Sequence, residues 1–196
     1  MNRKTNLLAA GMISMGFVFG TSALAQQDMP DLGDWPQASQ DAAQHMMDTY
    51  GPPAETTDTM LIWGATGPWK RTIVYKDETT HLFPVEHSDV MQQWIDLDVP
   101  PDYFDDLAHY DGSVVVNRTE AEISARCDKE GANFLAINLA HDIINEVRTV
   151  EDARAFYAET MKAVMEGGTP PDPAYVEGLI FEAPQEDMSN PDESVL

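Results

Sequence analysis

The chain has 196 residues, 34 of them acidic and 11 basic, and a net charge of −23. Such a polyanion repels nucleic acid and anionic lipid surfaces, so neither is expected as a partner. Its one cysteine, Cys127, excludes an internal disulfide.

The chain begins Met1-Asn2-Arg3-Lys4, continues with an uncharged apolar run over 7–20, and then reads Ala23-Leu24-Ala25. A positive end, an apolar middle and a small-x-small exit are the three parts of a secretory signal, so cleavage is expected after Ala25 and the product in the periplasm or outside the cell. The run is too short to span about 30 Å of hydrocarbon, and no later segment is apolar enough to do so. The mature chain, 26–196, keeps nine basic residues against 34 acids, a charge of −25. That length suits one domain, which can bury roughly 70% of its unfolded surface. Self-repulsion at this charge is screened by salt over a Debye length of about 8 Å at 0.15 M, so the surface reads as salt-adapted.

Residues 26–38 are polar and broken by Pro30 and Pro36, which predicts a linker. Ser39 then caps a helix over 40–50, stopped by Gly51-Pro52-Pro53. Residues 59–77 predict a hairpin: apolar 60–63, a turn through Gly64 and Gly67-Pro68, and a second strand holding Trp69, Ile73 and Tyr75. Over 88–97, Val90, Met91, Trp94 and Ile95 recur at helical spacing and predict a helix. Pro101 opens a short helix with Tyr103, Phe104 and Leu107. Residues 113–127 predict a second hairpin, with Ile123, Ala125 and Cys127 alternating against Glu122, Ser124 and Arg126. Asp128 caps a helix to about residue 147, and Thr149 caps another over 150–166. The short joint between them predicts antiparallel packing. From Thr169 onward there are five prolines, seven acids and no basic residue, which predicts a largely disordered acidic tail; 175–181 (YVEGLIF) is apolar enough to dock.

The expected fold is therefore α+β: two β-hairpins forming a small, four-stranded antiparallel sheet with helices on one face, including a C-terminal antiparallel helix pair. The globular domain spans 39–168.

Gly64-Ala65-Thr66-Gly67 is followed by proline and a β-run rather than a helix, so it cannot hold a pyrophosphate. An EF-hand begun at Asp96 needs glycine at 101 and glutamate at 107, where this chain has Pro101 and Leu107. No cofactor is expected. His81 and His87 flank the loop 82–86 and with Glu86 make a partial metal set, to which folding would have to bring Cys127. The set is incomplete, and no metal ligand is assigned from sequence.

Cys127 stands between Arg126 and Asp128, just before a helix start and near Lys129. Nearby cations and a helix N-terminus favour a thiolate, which makes Cys127 and Arg126 the candidate catalytic pair. The opposing reading is a buried cysteine, because Cys127 continues the Ile123/Ala125 stripe. Trp69, Arg71 and Tyr75 on the aromatic hairpin, and Asn138 and His141 on one polar helix face, are the candidate ligand-binding residues.

The segments GPWKRT (67–72), YDGSV (110–114), ARCDKE (125–130) and NFLAINLA (133–140) resemble a family of uncharacterised exported bacterial proteins. The resemblance covers about 50–165 and implies one fold there, with no activity or catalytic residue to carry over.

Three functions remain open from sequence. The first is a non-enzymatic periplasmic or secreted binding module for an unidentified protein or small molecule. The second is a thiol-dependent enzyme or redox protein using Cys127. The third is a metal-binding acidic protein. A homodimer bridged at Cys127 is also open.

Overall fold

The computed structural model describes residues 31–184 and 189–196; the expected signal segment lies outside them. The elements in chain order are α1 (Gln37–Tyr50), β1 (Glu55–Thr56), β2 (Met60–Trp63), β3 (Arg71–His81), β4 (His87–Asp96), α2 (Phe104–Tyr110), β5 (Val114–Asn117), β6 (Glu122–Cys127), α3 (Glu130–Ile144), α4 (Val150–Met165) and α5 (Ala174–Glu177). The fold is α+β, and its six strands form one antiparallel sheet in the order β1-β2-β3-β4-β6-β5. No described helix is long and apolar enough to cross a membrane.

The predicted helix over 88–97 is strand β4, at the centre of the sheet. Asp89, Met91, Gln93 and Ile95 form its inward row and are all buried. The period of two was masked because two inward positions are polar, while Trp94 sits in the outward row. A central strand buried on a polar network does not show the clean alternation of a half-exposed one. Together with the two-residue β1, β4 makes the sheet six-stranded rather than four-stranded.

Two predicted caps also differ. Helix α1 starts at Gln37, after Pro36, with no side-chain cap. Ser39 lies inside it, fully buried, with its hydroxyl 3.5 Å from the Lys76 carbonyl. The stretch read as a linker is folded over its described part: Leu32–Asp34 form a 3-10 turn and Trp35 is buried against α1 and β2. Helix α3 takes Lys129 rather than Asp128 at its N-cap and ends at Ile144. Thr149 caps α4 as predicted, accepting from the Asp152 N–H at 3.1 Å.

One face of the sheet carries the helices. Gln93, on the inward row of β4, contacts Thr72, Met46 of α1 and Glu130 and Asn133 of α3, so both helices cover the same face. Trp69 stacks on Phe134 of α3 with centroids 4.7 Å apart, and Trp63 donates to the Gly51 carbonyl. The turn before Trp69 needs Gly67: its φ is 54°, and a Cβ added there would stand 2.9 Å from the Tyr50 hydroxyl.

The other face carries cation–aromatic pairs. Arg71 lies over Trp94 and Arg126 over Tyr75. Glu122, 2% exposed, receives both Arg71 Nη atoms and Lys70 Nζ. Burial pushes its carboxyl up, but the Arg71 and Lys70 hydrogen bonds outweigh burial and hold it below the ordinary 4.5. Ionised Glu122 therefore contributes stability above pH 4.5 that is lost as pH falls below it. Glu122→Gln is expected to cost about 2 kcal/mol at neutral pH, with the gap from the parent closing under acid, as read by urea unfolding at both pH values.

The segment 175–181 lies against α3. Asn138 of α3 donates to the Tyr175 and Gly178 carbonyls (3.1 and 2.8 Å) and accepts the Ile180 N–H (3.0 Å). His141 stacks flat on Phe181, and Asp142 takes the Tyr175 hydroxyl at 2.7 Å. Asn138→Ala would orphan three backbone groups at a cost of about 2 kcal/mol, close to 30-fold in the docking equilibrium. Chymotryptic cleavage at Tyr175 and Phe181 should accelerate by about that factor; an unchanged rate would mean the aromatic contacts hold the segment alone.

Candidate functional site

The far end of the β3–β4 hairpin gathers titratable side chains. The register sets His81 directly opposite His87, and Thr79 opposite Asp89. Residues two apart on a strand share a face, so His81, His87 and Asp89 all point to the helix-covered side. On the next strand, Cys127 pairs with Met91 and lies diagonal to Asp89 on that side. The turn at Asp111-Gly112-Ser113 reaches the cluster from β5, and Tyr157 of α4 lies beside it.

Asp89 is 1% exposed, and its ion-pair partners among the described residues are His81 and His87. Its Oδ2 accepts the Ser113 hydroxyl and lies 3.4 Å from His81 Nδ1. Its Oδ1 is 3.1 Å from His87 Nε2. Those two atoms do not meet in hydrogen-bond geometry, and each is buried without another partner. Buried polar atoms are nearly always satisfied, so this pair calls for an explanation. His87 Nδ1 is 2.8 Å from the Val85 carbonyl, which fixes Nδ1 as a donor and leaves Nε2, the atom facing Asp89, as the one that gains or loses a proton. With protons alone in the site, the Asp89 carboxylate, followed by the Cys127 thiol, pushes His87 up to about 11.

His81, His87 and Asp89 each offer one ligand atom, all within 4.8 Å of one another. Ligands about 2.0–2.1 Å from a tetrahedral ion stand about 3.3 Å apart, close to the 3.1 Å between His87 Nε2 and Asp89 Oδ1; the 3.4 Å approach of His81 Nδ1 is to the other oxygen, Oδ2. The outer contacts also fit a metal. A ligating histidine ordinarily gives its other N–H to a carbonyl or carboxylate, as His87 does to Val85. Asp111, held by the Ser113 N–H at 2.8 Å, stands 3.6 Å from His81 Nε2. Burial pushes the Asp111 carboxyl up, against the Ser113 hydrogen bond and the charge of His81. A pocket of about 230 Å³, lined by His87, Cys127, Lys129, Tyr157, Met161 and Met165, adjoins the cluster.

The residues singled out from sequence are divided by the sheet. Cys127 and Arg126 are neighbours in β6, so the pleat sends them to opposite faces: Cys127 inward, Arg126 outward over Tyr75. Arg126 does not reach the thiol. Burial pushes the Cys127 thiol up, with the nearby His87 opposing. Labelling of folded protein by a thiol reagent at neutral pH is therefore expected to be slow, rising about tenfold per pH unit and reaching the unhindered rate only on unfolding. Arg71 and Tyr75 share the outward face, but Trp69, 1% exposed, lies in the core on the other side. Asn138 and His141 hold the chain's own tail, and burial lowers the His141 imidazole.

Sequence reasoning missed Asp89, Asp111 and Ser113, and it missed Glu130. Glu130 opens α3 and is 8% exposed. Its Oε1 accepts from Trp69 Nε1 (2.6 Å), Tyr50 Oη (2.9 Å) and Gln93 Nε2 (3.1 Å), and its Oε2 lies 2.9 Å from His45 Nε2. With His45, Asp41 and Lys129 it borders a second pocket of about 550 Å³. Every Glu130 oxygen is engaged by the protein, so this carboxylate reads as a tie between α1, β4 and α3. Among 34 acids, nothing in the sequence marks it.

No family model, curated protein or solved structure matches the chain.

Proposed function

We propose that this protein is an exported, non-enzymatic binding module whose ligand is a divalent transition-metal ion held by His81, His87 and Asp89. The observation that carries the reading is the His87 Nε2–Asp89 Oδ1 pair: two atoms able to bind a metal, buried, 3.1 Å apart and without a formed hydrogen bond. A cation between them replaces the His87 proton and an unformed hydrogen bond with two metal–ligand bonds. It also compensates a buried carboxylate that has no lysine or arginine among its described ion-pair partners. Imidazole with carboxylate suits zinc, iron, copper, nickel and cobalt better than calcium or magnesium, which prefer all-oxygen sets. The acidic surface attracts cations generally, but with the weak, screened affinity of exposed carboxylates.

The test is calorimetric titration of chelator-stripped protein with Zn²⁺ in physiological salt. One ion per chain, lost in His81→Ala and His87→Ala, supports the reading. Binding that both variants retain would place the metal on the acidic surface and overturn it.

A further inference from the structure

Deepening that reading, and resting on it, we propose that Cys127 supplies a fourth, thiolate ligand to the same ion, so that the occupied site is a two-histidine, one-aspartate, one-cysteine centre of the zinc class. Three observations converge on it. The β4–β6 register puts Cys127 on the inward row, diagonal to Asp89, so its side chain leaves the sheet on the ligand side. Cys127 and His87 border one pocket of about 230 Å³. Asp89 Oδ1, nearly wholly buried and without a hydrogen-bond partner, independently marks the place where the ion sits.

The thiol stands outside the three-residue ligand group, with Sγ 3.5 Å from Asp128 Oδ1. A rotation about χ1 exchanges that weak contact for the ion. Charge favours the exchange. Two neutral imidazoles and one carboxylate leave a divalent ion with a net positive charge among buried groups. A thiolate brings the first shell to neutrality, which is the least costly state for a buried centre. Asp111 lies on the far side of His81 and serves that ring rather than the ion. The proton balance is simple: the S–H proton of Cys127 and the Nε2 proton of His87 pass to solvent as the metal–sulfur and metal–nitrogen bonds form. No electron is transferred. A thiolate selects borderline and soft ions, so Zn²⁺, Co²⁺ and Cd²⁺ are held in preference to Mn²⁺, Mg²⁺ and Ca²⁺.

The experiment is a Co²⁺ titration of reduced, chelator-stripped mature protein, followed by absorbance, in parallel with Cys127→Ser and His87→Ala. The expected result is a near-ultraviolet sulfur-to-cobalt charge-transfer band together with the intense visible bands of four-coordinate cobalt. Cys127→Ser keeps cobalt but loses the charge-transfer band. Outer-shell changes alone cost about 10- to 100-fold in affinity, so losing this ligand should weaken Zn²⁺ binding by about 100-fold or more, with Mn²⁺ affinity little changed. Cobalt bound by the parent without a charge-transfer band, and lost in His87→Ala, would overturn the thiolate and leave the three-residue site standing. Cobalt binding that is indifferent to His87→Ala, or absent, would overturn both. The charge-transfer band is read on the unsubstituted protein, so the test survives a misfolded cysteine variant.

Discussion

Zinc at a hundredfold excess over its dissociation constant should stabilise the folded chain by about 2.7 kcal/mol. For a domain of this length that raises Tm by about 5–11 °C, measured by calorimetry on stripped and reloaded protein. His87→Ala should abolish the shift, because Nε2 is one of the two facing atoms that would bind the ion. The pH dependence has two opposing parts. Without metal, protonated His87 contributes stability that is fully present below pH 6.5, its ordinary value, and is lost as pH rises toward about 11. Zinc competes with that same proton, so its apparent affinity, and with it the Tm increment, grows with pH over the same window. A zinc increment that is flat between mildly acidic and mildly alkaline buffer would mean that His87 is not a ligand.

Glu130→Ala should be the most damaging single substitution outside the aliphatic core. Its carboxylate is the acceptor for Trp69, Tyr50 and Gln93, and Trp69 and Gln93 are fully buried. Removing it strands those donors, each at about 1–3 kcal/mol, for a total of about 3–5 kcal/mol once partial relaxation is allowed. Domain stabilities are about 5–15 kcal/mol in all, so Tm should fall by roughly 10 °C or more. Glu130→Gln keeps one acceptor oxygen and should cost about half as much. Urea unfolding of the two variants decides this. If Glu130→Ala costs less than about 1 kcal/mol, water enters the pocket and replaces the carboxylate, and Glu130 is not the tie that holds α1 to α3.

The two sites were unequally legible in the sequence. His81 and His87 stand out because histidine is rare here and because they bracket one loop. Asp89 was hidden by the secondary-structure reading. On a helix, positions 87 and 89 point about 200° apart; on a strand they share a face. Reading 88–97 as a helix therefore removed Asp89 from the ligand set and left Glu86 as its substitute. The misreading and the missed ligand have one cause. An inward row of Asp89, Met91, Gln93 and Ile95 mixes polar with apolar residues because it serves a site and a hydrogen-bond network as well as the core. Local periodicity records hydrophobicity, and it fails where burial is compensated by tertiary hydrogen bonds.

Much was set by local chemistry and needed no tertiary information. The β5–β6 hairpin, the Thr149 cap of α4, the Gly67 turn and the docking of 175–181 follow from alternation, capping oxygens, a left-handed φ and an apolar stretch in a polar tail. So does the surface charge, which is fixed by counting. What only the tertiary structure decided is which side chains meet. The pleat parts Cys127 from Arg126, neighbours in sequence, and a strand register pairs Cys127 with Met91, distant in sequence, and so sets it diagonal to Asp89. Pairing across strands depends on long-range hydrogen bonds that no window of sequence contains. The candidate metal centre lies where two such pairings, β3–β4 and β4–β6, meet.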